Sequence, residues 1–436
     1  MGSNFWEMLL PPAIGGLLAL VFLALGLRAG RRRRLVENIP TSKTSGIFIG
    51  LVEVKGTAEA EAPLTSFLAE KRCVHYAWTV KEHWSRTVTE SYTDSKGQTR
   101  TRTRRESGWK TVASGGETIP FYLKDEYGAV LVRPEGAKIE AATLFSETCG
   151  RGDPLYYAKG PAWAVADSDH RRMFSEEGIV LHAPLYVMGQ ARERGDAVAP
   201  EIAEDAAAEM FLISTRTEEQ VSSGLSWAFW GWLALGLVFG VGGAAFLGRS
   251  GSAVWPVAGA GGLYLAGVLG GWVWMVYNSM VDLRQRVRQG WSQVEVQLKR
   301  RHDLIPNLVG LVTGLRDYEQ RVQSEVASLR AQMRATPPGV EGPDYAGVQK
   351  TLLAVAERYP ELKAQESFLR LQKELADTET RIALARGYFN EIATHYNLRL
   401  EIIPDRWVCR LAGLKPQALM LAGEFERRAV EVVFAS

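Results

Sequence analysis

The sequence predicts a multi-domain membrane protein: a mainly-β soluble domain, three transmembrane helices and a cytoplasmic antiparallel helical bundle. Three observations lead to this fold class. Apolar runs of spanning length lie at residues 6–27, 225–247 and 254–277. Residues 40–222 contain stretches that alternate polar and apolar side chains, as half-buried strands do. From residue 278 onward apolar residues recur at steps of three and four, as on amphipathic helices.

Composition excludes several classes of function. The 436 residues carry a formal net charge of only +2, which argues against a general nucleic-acid-binding protein. The three cysteines are scattered and form no Cys-X-X-Cys pair, so a zinc ribbon or RING built from cysteine pairs is excluded. A sparse, odd count fits reduced thiols. We predict no metal and no cofactor.

The first apolar run, residues 6–27, is expected to anchor the chain in the membrane. Positive charges follow it rather than precede it, which favours an anchor over a cleaved signal peptide. By the positive-inside rule these charges place the amino terminus outside and residues 31–222 in the cytoplasm. We expect the basic cluster to contact the anionic leaflet; it comprises Arg31, Arg32, Arg33 and Arg34.

The mainly-β domain, residues 40–222, is predicted to be a sandwich or small barrel. Predicted strands cover residues 46–60, 73–80, 121–123, 130–132, 179–187 and 210–213, with a short helical piece at 63–67. Residues 85–112 are rich in Thr, Ser and Arg around Asp94–Gly97, which predicts a long polar hairpin. This hairpin is basic, and it is either a solvated surface or a contact for a cytoplasmic partner or lipid.

One pair of residues in this domain is a candidate catalytic site. Cys73 and His75 lie two apart in a predicted strand, so both point to the same face. A thiol beside an imidazole is the arrangement of a nucleophile and its base. No orienting acid is evident, and cysteine is commonly buried. A packed strand face is therefore favoured over catalysis.

The β domain resembles a known family. It contains the strings GLVEVKGTAEA, PLTSFLAEKRCVHYAWTV, IPFYLKDEYGAVLVRPEGA and EEGIVLHAPLYVMGQARE. Over about residues 45–220 these strings are similar to the GIDE-type domain of mitochondrial outer-membrane E3 ubiquitin ligases and of bacterial membrane proteins. Ligase activity in those relatives belongs to a separate RING, which this cysteine-poor chain lacks. We therefore do not predict ubiquitin transfer for this chain.

The second and third apolar runs are joined by only about six residues, which predicts a transmembrane hairpin that returns the chain to the cytoplasm. No ionisable residue lies inside any span apart from Glu7 at the end of the first, which disfavours a channel or transporter. Small residues four apart let helices approach closely, either within one chain or between subunits. The predicted packing positions are Gly236, Gly240, Gly267 and Gly271.

The third span is expected to continue directly into the cytoplasmic bundle, residues 278–436. The predicted bundle seam comprises Leu283, Val287, Trp291, Val294, Leu298, Ile305 and Leu308. Arg284, Arg286 and Arg288 are expected at the membrane surface. Further helices are predicted at residues 318–333, from 345, and in a long stretch that stops before Pro404. No Glu-X-X-His pair lies on any of them, which disfavours a dimetal site.

The carboxyl-terminal region resembles the LemA family. The matching strings are YNSMVDLRQRVRQGWSQVEVQLKRRHDLIPNLV, YPELKAQESFLRLQKELADTETRIALARGYFNEIATHYN and IIPDRWVCRLAGL, within about residues 272–425. The resemblance implies a membrane-anchored helical bundle facing the cytoplasm, in a family with no established catalytic role. His302 and Gly413-Leu414 depart from the residues usual in the family.

The predicted domains are therefore residues 1–34, 40–222, 225–277 and 278–436. We predict a non-enzymatic integral scaffold of the bacterial cytoplasmic (inner) membrane that forms a large homo-oligomer and organises membrane or partner proteins. The alternative is a membrane-stress sensor or adaptor whose β domain binds a cytoplasmic partner or lipid. A Cys73/His75 hydrolase is the least favoured hypothesis.

Overall fold

A computed structural model describes residues 3–93, 99–194, 199–206, 208, 210–247, 254–314 and 366–420 of the chain. Contacts divide the chain into a β unit, Thr41–Gln220, and a helical unit formed by Met1–Pro40 and Val221–Ser436. The described helices are α1 (Ser3–Asn38), α2 (Pro154–Ala158), α3 (Glu218–Leu247), α4 (Val254–Gly314), α5 (Glu366–Glu401) and α6 (Asp405–Leu411).

Three of these helices, α1, α3 and α4, are long and apolar enough to cross a membrane. Their apolar stretches pack on one another. Phe22 of α1 stacks on Trp232 and Phe239 of α3, with ring centroids 5.5 and 5.4 Å apart. The Tyr264 hydroxyl of α4 donates to the carbonyl oxygen of Leu233 in α3 at 3.0 Å, which satisfies a polar group among apolar residues. The predicted β-rich domain and three spanning-length helices are confirmed, whereas insertion into a membrane stays a prediction.

Helix α4 continues for 61 residues, from the apolar run into a segment that packs against α5. The two helices are antiparallel, because Gly290 of α4 contacts Phe389 and Arg301 pairs with Glu379. The helices predicted at residues 318–333 and from 345 lie outside the described residues. Antiparallel packing is thus seen for one helix pair of the predicted bundle.

The described residues of the β unit form two sheets. The strands are β1 (Thr41–Ser42), β2 (Gly50–Glu59), β3 (Leu64–Thr65), β4 (Arg72–Thr93), β5 (Thr99–Thr118), β6 (Phe121–Lys124), β7 (Ala129–Val132), β8 (Lys138–Glu140), β9 (Ala142–Gly150), β10 (Ser168–Val180), β11 (Pro184–Glu193), β12 (Pro200–Ala203) and β13 (Leu212–Ser214). Strands β2, β6, β7, β12 and β11 form a closed ring, because β11 pairs back onto β2. This small barrel encloses Val52, Val54, Leu123, Val187 and Ile202, all fully buried.

The second sheet is built on β4. Strand β10 lies between β4 and β9 and pairs with both, and β5 pairs with the opposite edge of β4. The predicted polar hairpin is present as β4 and β5. Its outer part, beyond Trp84 and Gly108, pairs only with itself because β10 stops at that level. It is a two-stranded ribbon that extends past the rest of the sheet.

Three local predictions in this unit are wrong. The strand predicted at 179–187 is two strands separated by a turn at residues 181–183, where His182 has φ +62° and Pro184 begins β11. Residues 63–67 contain strand β3, not a helix. The strand predicted from residue 46 begins at Gly50, after a 3-10 turn at Thr44–Gly46.

Candidate functional site at the carboxyl-terminal end of the first apolar helix

A group of polar side chains meets where α1 ends. We call it the boundary cluster: Arg33, Arg34, Glu37, Asn38, Ser222, Ser279, Arg399 and Asp405. Arg34 donates through Nη1 and Nη2 to the two carboxylate oxygens of Asp405, at 2.8 and 2.9 Å. Asp405 is almost completely buried and also forms an ion pair with Arg399 at 3.5 Å. Two-point arginine–carboxylate pairs are strong and fix orientation.

The rest of the boundary cluster ties further segments to the same place. Arg399 donates to Glu37 at 2.9 Å and to the side-chain oxygen of Asn38 at 3.2 Å. The Asn38 amide donates to Ser279 of α4 at 2.9 Å, and the Ser222 hydroxyl of α3 donates to Glu37 at 3.0 Å. The cluster therefore fastens the end of α1 to α3, α4, α5 and α6.

Helices α4 and α5 meet along a buried seam. Of the predicted seam residues, Leu283, Val287, Val294 and Leu298 are buried. Trp291 is 42% exposed; it lies edge-on to Phe389, and its indole N–H donates to Glu295 at 2.7 Å. The side chains of Ile305 and Leu308 lie outside the described residues.

The seam contains two positions that apolar periodicity does not reveal. Gly290 replaces Trp291 as the inward residue, and a Cβ there would lie 3.6 Å from the Phe389 Cα. Arg301, nearly buried, fills the seven-residue gap between Leu298 and Ile305 by pairing with Glu379 at 3.4 Å. Gly290 adds nothing to a hydrophobic pattern, and Arg301 interrupts the pattern with a charge.

Two asparagines of α5 hold the extended segment that follows α6. Asn390 donates to the carbonyl oxygen of Met420 at 2.9 Å and accepts from its N–H at 2.8 Å. Asn397 does the same with Gln417, at 2.8 Å in both directions. Seven helical residues rise about 10 Å. Gln417 and Met420 are three residues apart in the extended segment and span a similar length, so their spacing matches that of Asn397 and Asn390. We call residues 414–420 the strap.

Two family models match parts of this chain. Residues 290–434 match the LemA family model. The resemblance to the LemA family is confirmed. Residues 89–245 match a second family model, GIDE, described as E3 Ubiquitin ligase, which confirms the other resemblance. The seam from Gly290 onward, α5, α6 and the strap all lie in the LemA match.

Two relatives give the extent of the similarity. Magnetosome protein MamQ of Magnetospirillum gryphiswaldense is 23% identical over 173 residues, covering 32% of this chain and 63% of MamQ. Protein LemA of Metamycoplasma hominis is 22% identical over 159 residues, covering 35% of this chain and 73% of that protein. The chain thus spans less than two thirds of the MamQ length. The similarity to the LemA family is therefore limited to part of this chain, which also has three helices long and apolar enough to cross a membrane.

The glycines predicted for span packing contact other helices of the same chain. A Cβ at Gly236 would overlap the Tyr264 hydroxyl, and one at Gly271 would overlap Leu27. Gly240 faces Ala19 at 3.3 Å, and Gly267 faces Leu23 at 3.4 Å. Gly262 and Gly270 of α4 instead face open space. Sequence periodicity alone does not distinguish these two faces.

The arginines predicted at the membrane surface lie in three different environments. Arg33 and Arg34 are held in the boundary cluster, by Glu37 at 2.7 Å and by Asp405. Arg31, Arg32 and Arg288 are exposed, while Arg284 and Arg286 are half-buried. Contact of any of them with lipid stays a prediction.

The Cys73/His75 pair lacks the features of a nucleophile and base. Cys73 is fully buried and lies 3.8 Å from the carbonyl oxygen of Leu64. Burial, followed by the charges of Glu176 and Glu117, raises the pKa of the thiol to about 11. His75 hydrogen-bonds Thr118 at 2.6 Å, and burial lowers its pKa. At neutral pH the thiol is protonated, which is unfavourable for attack.

A buried ion pair in the β unit was missed by sequence reasoning. Arg172 and Glu82, opposite each other on β10 and β4, are fully buried and 3.2 Å apart. Arg172 also donates to the carbonyl oxygens of Tyr156, Pro161 and Trp163 at 2.7–2.8 Å. Burial would raise the pKa of Glu82, but hydrogen bonds from Ser168, Tyr156 and Arg172 outweigh it and lower that pKa. The pair fixes the loop that follows α2.

Buried Glu176 has a similar structural role. Its carboxylate accepts the N–H groups of Phe67, Leu68 and Ala69 at 2.7–3.0 Å, which closes the turn after β3. Among the described residues, no group of three or more His, Cys, Asp or Glu side chains is placed to hold a metal ion.

Proposed function

We propose that this protein is a non-enzymatic membrane scaffold that forms large homo-oligomers and organises membrane or partner proteins at the bacterial cytoplasmic membrane. Helix α4 carries this proposal, because its apolar run and the buried seam with α5 belong to one uninterrupted helix. A continuous helix transmits orientation from a bilayer to a bundle without a flexible joint. The boundary cluster adds a second connection between the end of α1 and the same bundle.

The proposed topology has three spans with the amino terminus outside. Residues 31–222 and 278–436 are then cytoplasmic, and the exposed Arg31 and Arg32 face the anionic leaflet. The apolar runs of α1, α3 and α4, together with the basic residues that follow α1, support this arrangement.

Oligomerisation is tested by the particle mass of the full chain in nanodiscs or detergent, measured by light scattering and electron microscopy. We expect a particle many times the 48.2 kDa of one chain. A monodisperse monomer would overturn the scaffold proposal and leave the adaptor hypothesis in its place.

The span contribution is tested on the open face of α4. A Cβ at Gly262 or Gly270 has no atom of the described residues within 4 Å, whereas a Cβ at Gly236 or Gly271 would overlap Tyr264 or Leu27. We expect the double variant Gly262→Leu with Gly270→Leu to reduce the particle mass, because small residues four or eight apart let neighbouring helices pack closely. Gly16→Leu on α1, also in open space, is the matched control. Equal masses for the native protein and both variants would exclude this face of α4 from the oligomer contact.

The adaptor alternative has its own structural support in the ribbon of β4 and β5. Its outer part carries exposed Arg102, Arg104 and Arg105, of which Arg104 pairs with Glu106 at 2.9 Å. A two-stranded ribbon gains little stability by itself, so a long one suggests a binding role. Deleting residues 86–105 and closing the turn should abolish binding to anionic vesicles or a cytoplasmic protein if the ribbon is an adaptor surface. Unchanged binding would exclude it.

A further inference from the structure

The corner between α5 and α6 exposes a group of large apolar side chains. We call it the α5–α6 corner: Leu398, Ile402, Ile403, Trp407 and Leu411. Ile403 is 61% exposed, Trp407 60% and Leu411 90%. Single exposed apolar residues are ordinary, but five within fourteen positions form a patch that indicates an interaction surface.

Helix α6 exposes large apolar side chains as well as burying apolar ones. Its inward face, at Asp405, Val408 and Cys409, is buried and carries the ion pair to Arg34. Its outward face presents Trp407 and Leu411, four residues apart and therefore on one side of the helix. Two large apolar residues exposed on one side of a helix indicate an apolar contact there.

The packing of α5 on α4 sets the level of this corner. Contacts between the antiparallel helices advance from Arg301–Glu379 through Gly290–Phe389 to the boundary cluster, where Arg399 and Ser279 both bond Asn38. Helix α5 therefore runs back along α4 toward its apolar stretch. Helix α5 ends at Glu401, about 3 Å beyond Arg399 in that direction, and Ile403 follows two residues later. This brings it near the level of Trp274, an exposed aromatic at the end of that stretch.

Charge around the corner agrees with the same environment. Arg406, Arg410 and Lys415 are exposed beside the apolar residues. Aromatic and basic side chains at the boundary of an apolar stretch are characteristic of the membrane interface. Basic residues there also attract anionic headgroups.

We propose that the α5–α6 corner inserts into the headgroup region of the cytoplasmic leaflet, as a second membrane attachment beside the spans. The occupant of the patch is the lipid of the membrane that holds α1, α3 and α4. This inference rests on the proposed membrane topology. It assigns to the end of the LemA region a contact that sets the angle of α5 to the membrane plane.

The test measures depth in full-length protein reconstituted into nanodiscs of phosphatidylcholine, with and without phosphatidylglycerol. Single cysteines replace Ile403, Leu269 or Val296 in a background with the three native cysteines changed to alanine. Each cysteine carries the fluorophore NBD, and brominated lipids quench it. Leu269 is an exposed residue of the apolar stretch of α4. Val296 is an equally exposed apolar residue that lies about 25 Å beyond Ser279 along α4.

We expect quenching at Ile403 by lipids brominated near the headgroup, corresponding to a depth of about 5–10 Å. Quenching should be absent at Val296 and strongest with deeply brominated lipids at Leu269. Phosphatidylglycerol should increase the quenching at Ile403. Trp407→Glu with Leu411→Glu should abolish it while leaving Leu269 unchanged.

Two results would overturn the inference in distinguishable ways. Quenching at Leu269 without quenching at Ile403 excludes the corner contact and leaves the membrane topology standing. If the label at Ile403 is then shielded only in the oligomer, a second copy covers the patch. Loss of quenching at both Leu269 and Ile403 overturns the proposed topology together with the corner contact.

Discussion

The β unit and the helical unit use buried ion pairs for different purposes. Arg172 and Glu82 face each other on adjacent strands, and their hydrogen bonds hold a loop of the same unit. Arg34 and Asp405 are 371 residues apart in sequence, and their pair joins the end of α1 to α6. The first pair stabilises one domain internally. The second joins α1 to α6, which lies within the residues that match the LemA family model. Its loss should therefore change how α1 and α6 pack.

The largest expected effect comes from Arg172→Met, which leaves Glu82 buried without its cation. Breaking a buried pair in this way costs about 3–5 kcal/mol. We expect loss of hydrogen-exchange protection in β4 and β10 of the full-length protein, with α4 and α5 unchanged. Arg192→Met is the control, because Arg192 is half-exposed and its partner Glu201 keeps Arg133. Equal protection in both variants would contradict the role given to Arg172.

Acid should act on the same pair. Because the pKa of Glu82 is lowered in the folded protein, its ionised form contributes stability above the unfolded pKa of about 4.3. That contribution is lost as the pH falls through the lower, folded pKa. We expect protection of β4 and β10 to decline below about pH 4 in the native chain. In Glu82→Gln this part of the pH dependence should disappear, and an unchanged profile would exclude Glu82 as its source.

A smaller effect is expected from Asp405→Asn in the boundary cluster. The variant keeps the side-chain shape but removes the charge that Arg34 and Arg399 share. Hydrogen bonds between charged groups contribute about 1.5–3 kcal/mol, so α6 and the end of α5 should exchange faster while the β unit stays protected. Glu401→Gln, an exposed neighbour, is the matched control. Faster exchange in the β unit as well would contradict the separation of the two units.

The smallest effect should follow Asn390→Ala, which releases the strap at Met420. The loss of two hydrogen bonds to one backbone residue should cost about 1–2 kcal/mol. We expect faster exchange at residues 417–420 and unchanged exchange along α5. Thr394→Ala removes an exposed hydroxyl one turn away and serves as the control. No difference between the two variants would show that the strap is held by other contacts.

The β unit shows what limits prediction from sequence. Apolar alternation identified β2, β4, β6 and β7, because their buried positions are hydrophobic. Strand β10 was missed over most of its length, since Arg172 and Glu176 occupy buried positions and interrupt the alternation. Residues 179–187 were assigned to one strand because their apolar run continues across the turn at His182.

In the helical unit, the sequence predicts the periodic buried face but not the contacts between distant helices. Steps of three and four located Leu283, Val287, Val294 and Leu298 on the buried face. The same periodicity predicts Trp291 on this face and misses Gly290, because a glycine that admits a neighbouring backbone has no hydrophobic signature. The pairing of Arg34 with Asp405 depends on the three-dimensional fold, and the local sequence suggests only a basic cluster after a span.

The central claim, rigid continuity of α4 from the apolar stretch to the bundle, is tested most directly by one distance. Spin labels at Leu265 and Val296, both exposed, lie on either side of the junction near Tyr277. A continuous helix places them about 46 Å apart. Double electron–electron resonance on magnetically dilute full-length protein in nanodiscs should give one narrow distribution at that distance. A broad distribution, or one centred well below it, would show a joint in α4 and contradict the scaffold account.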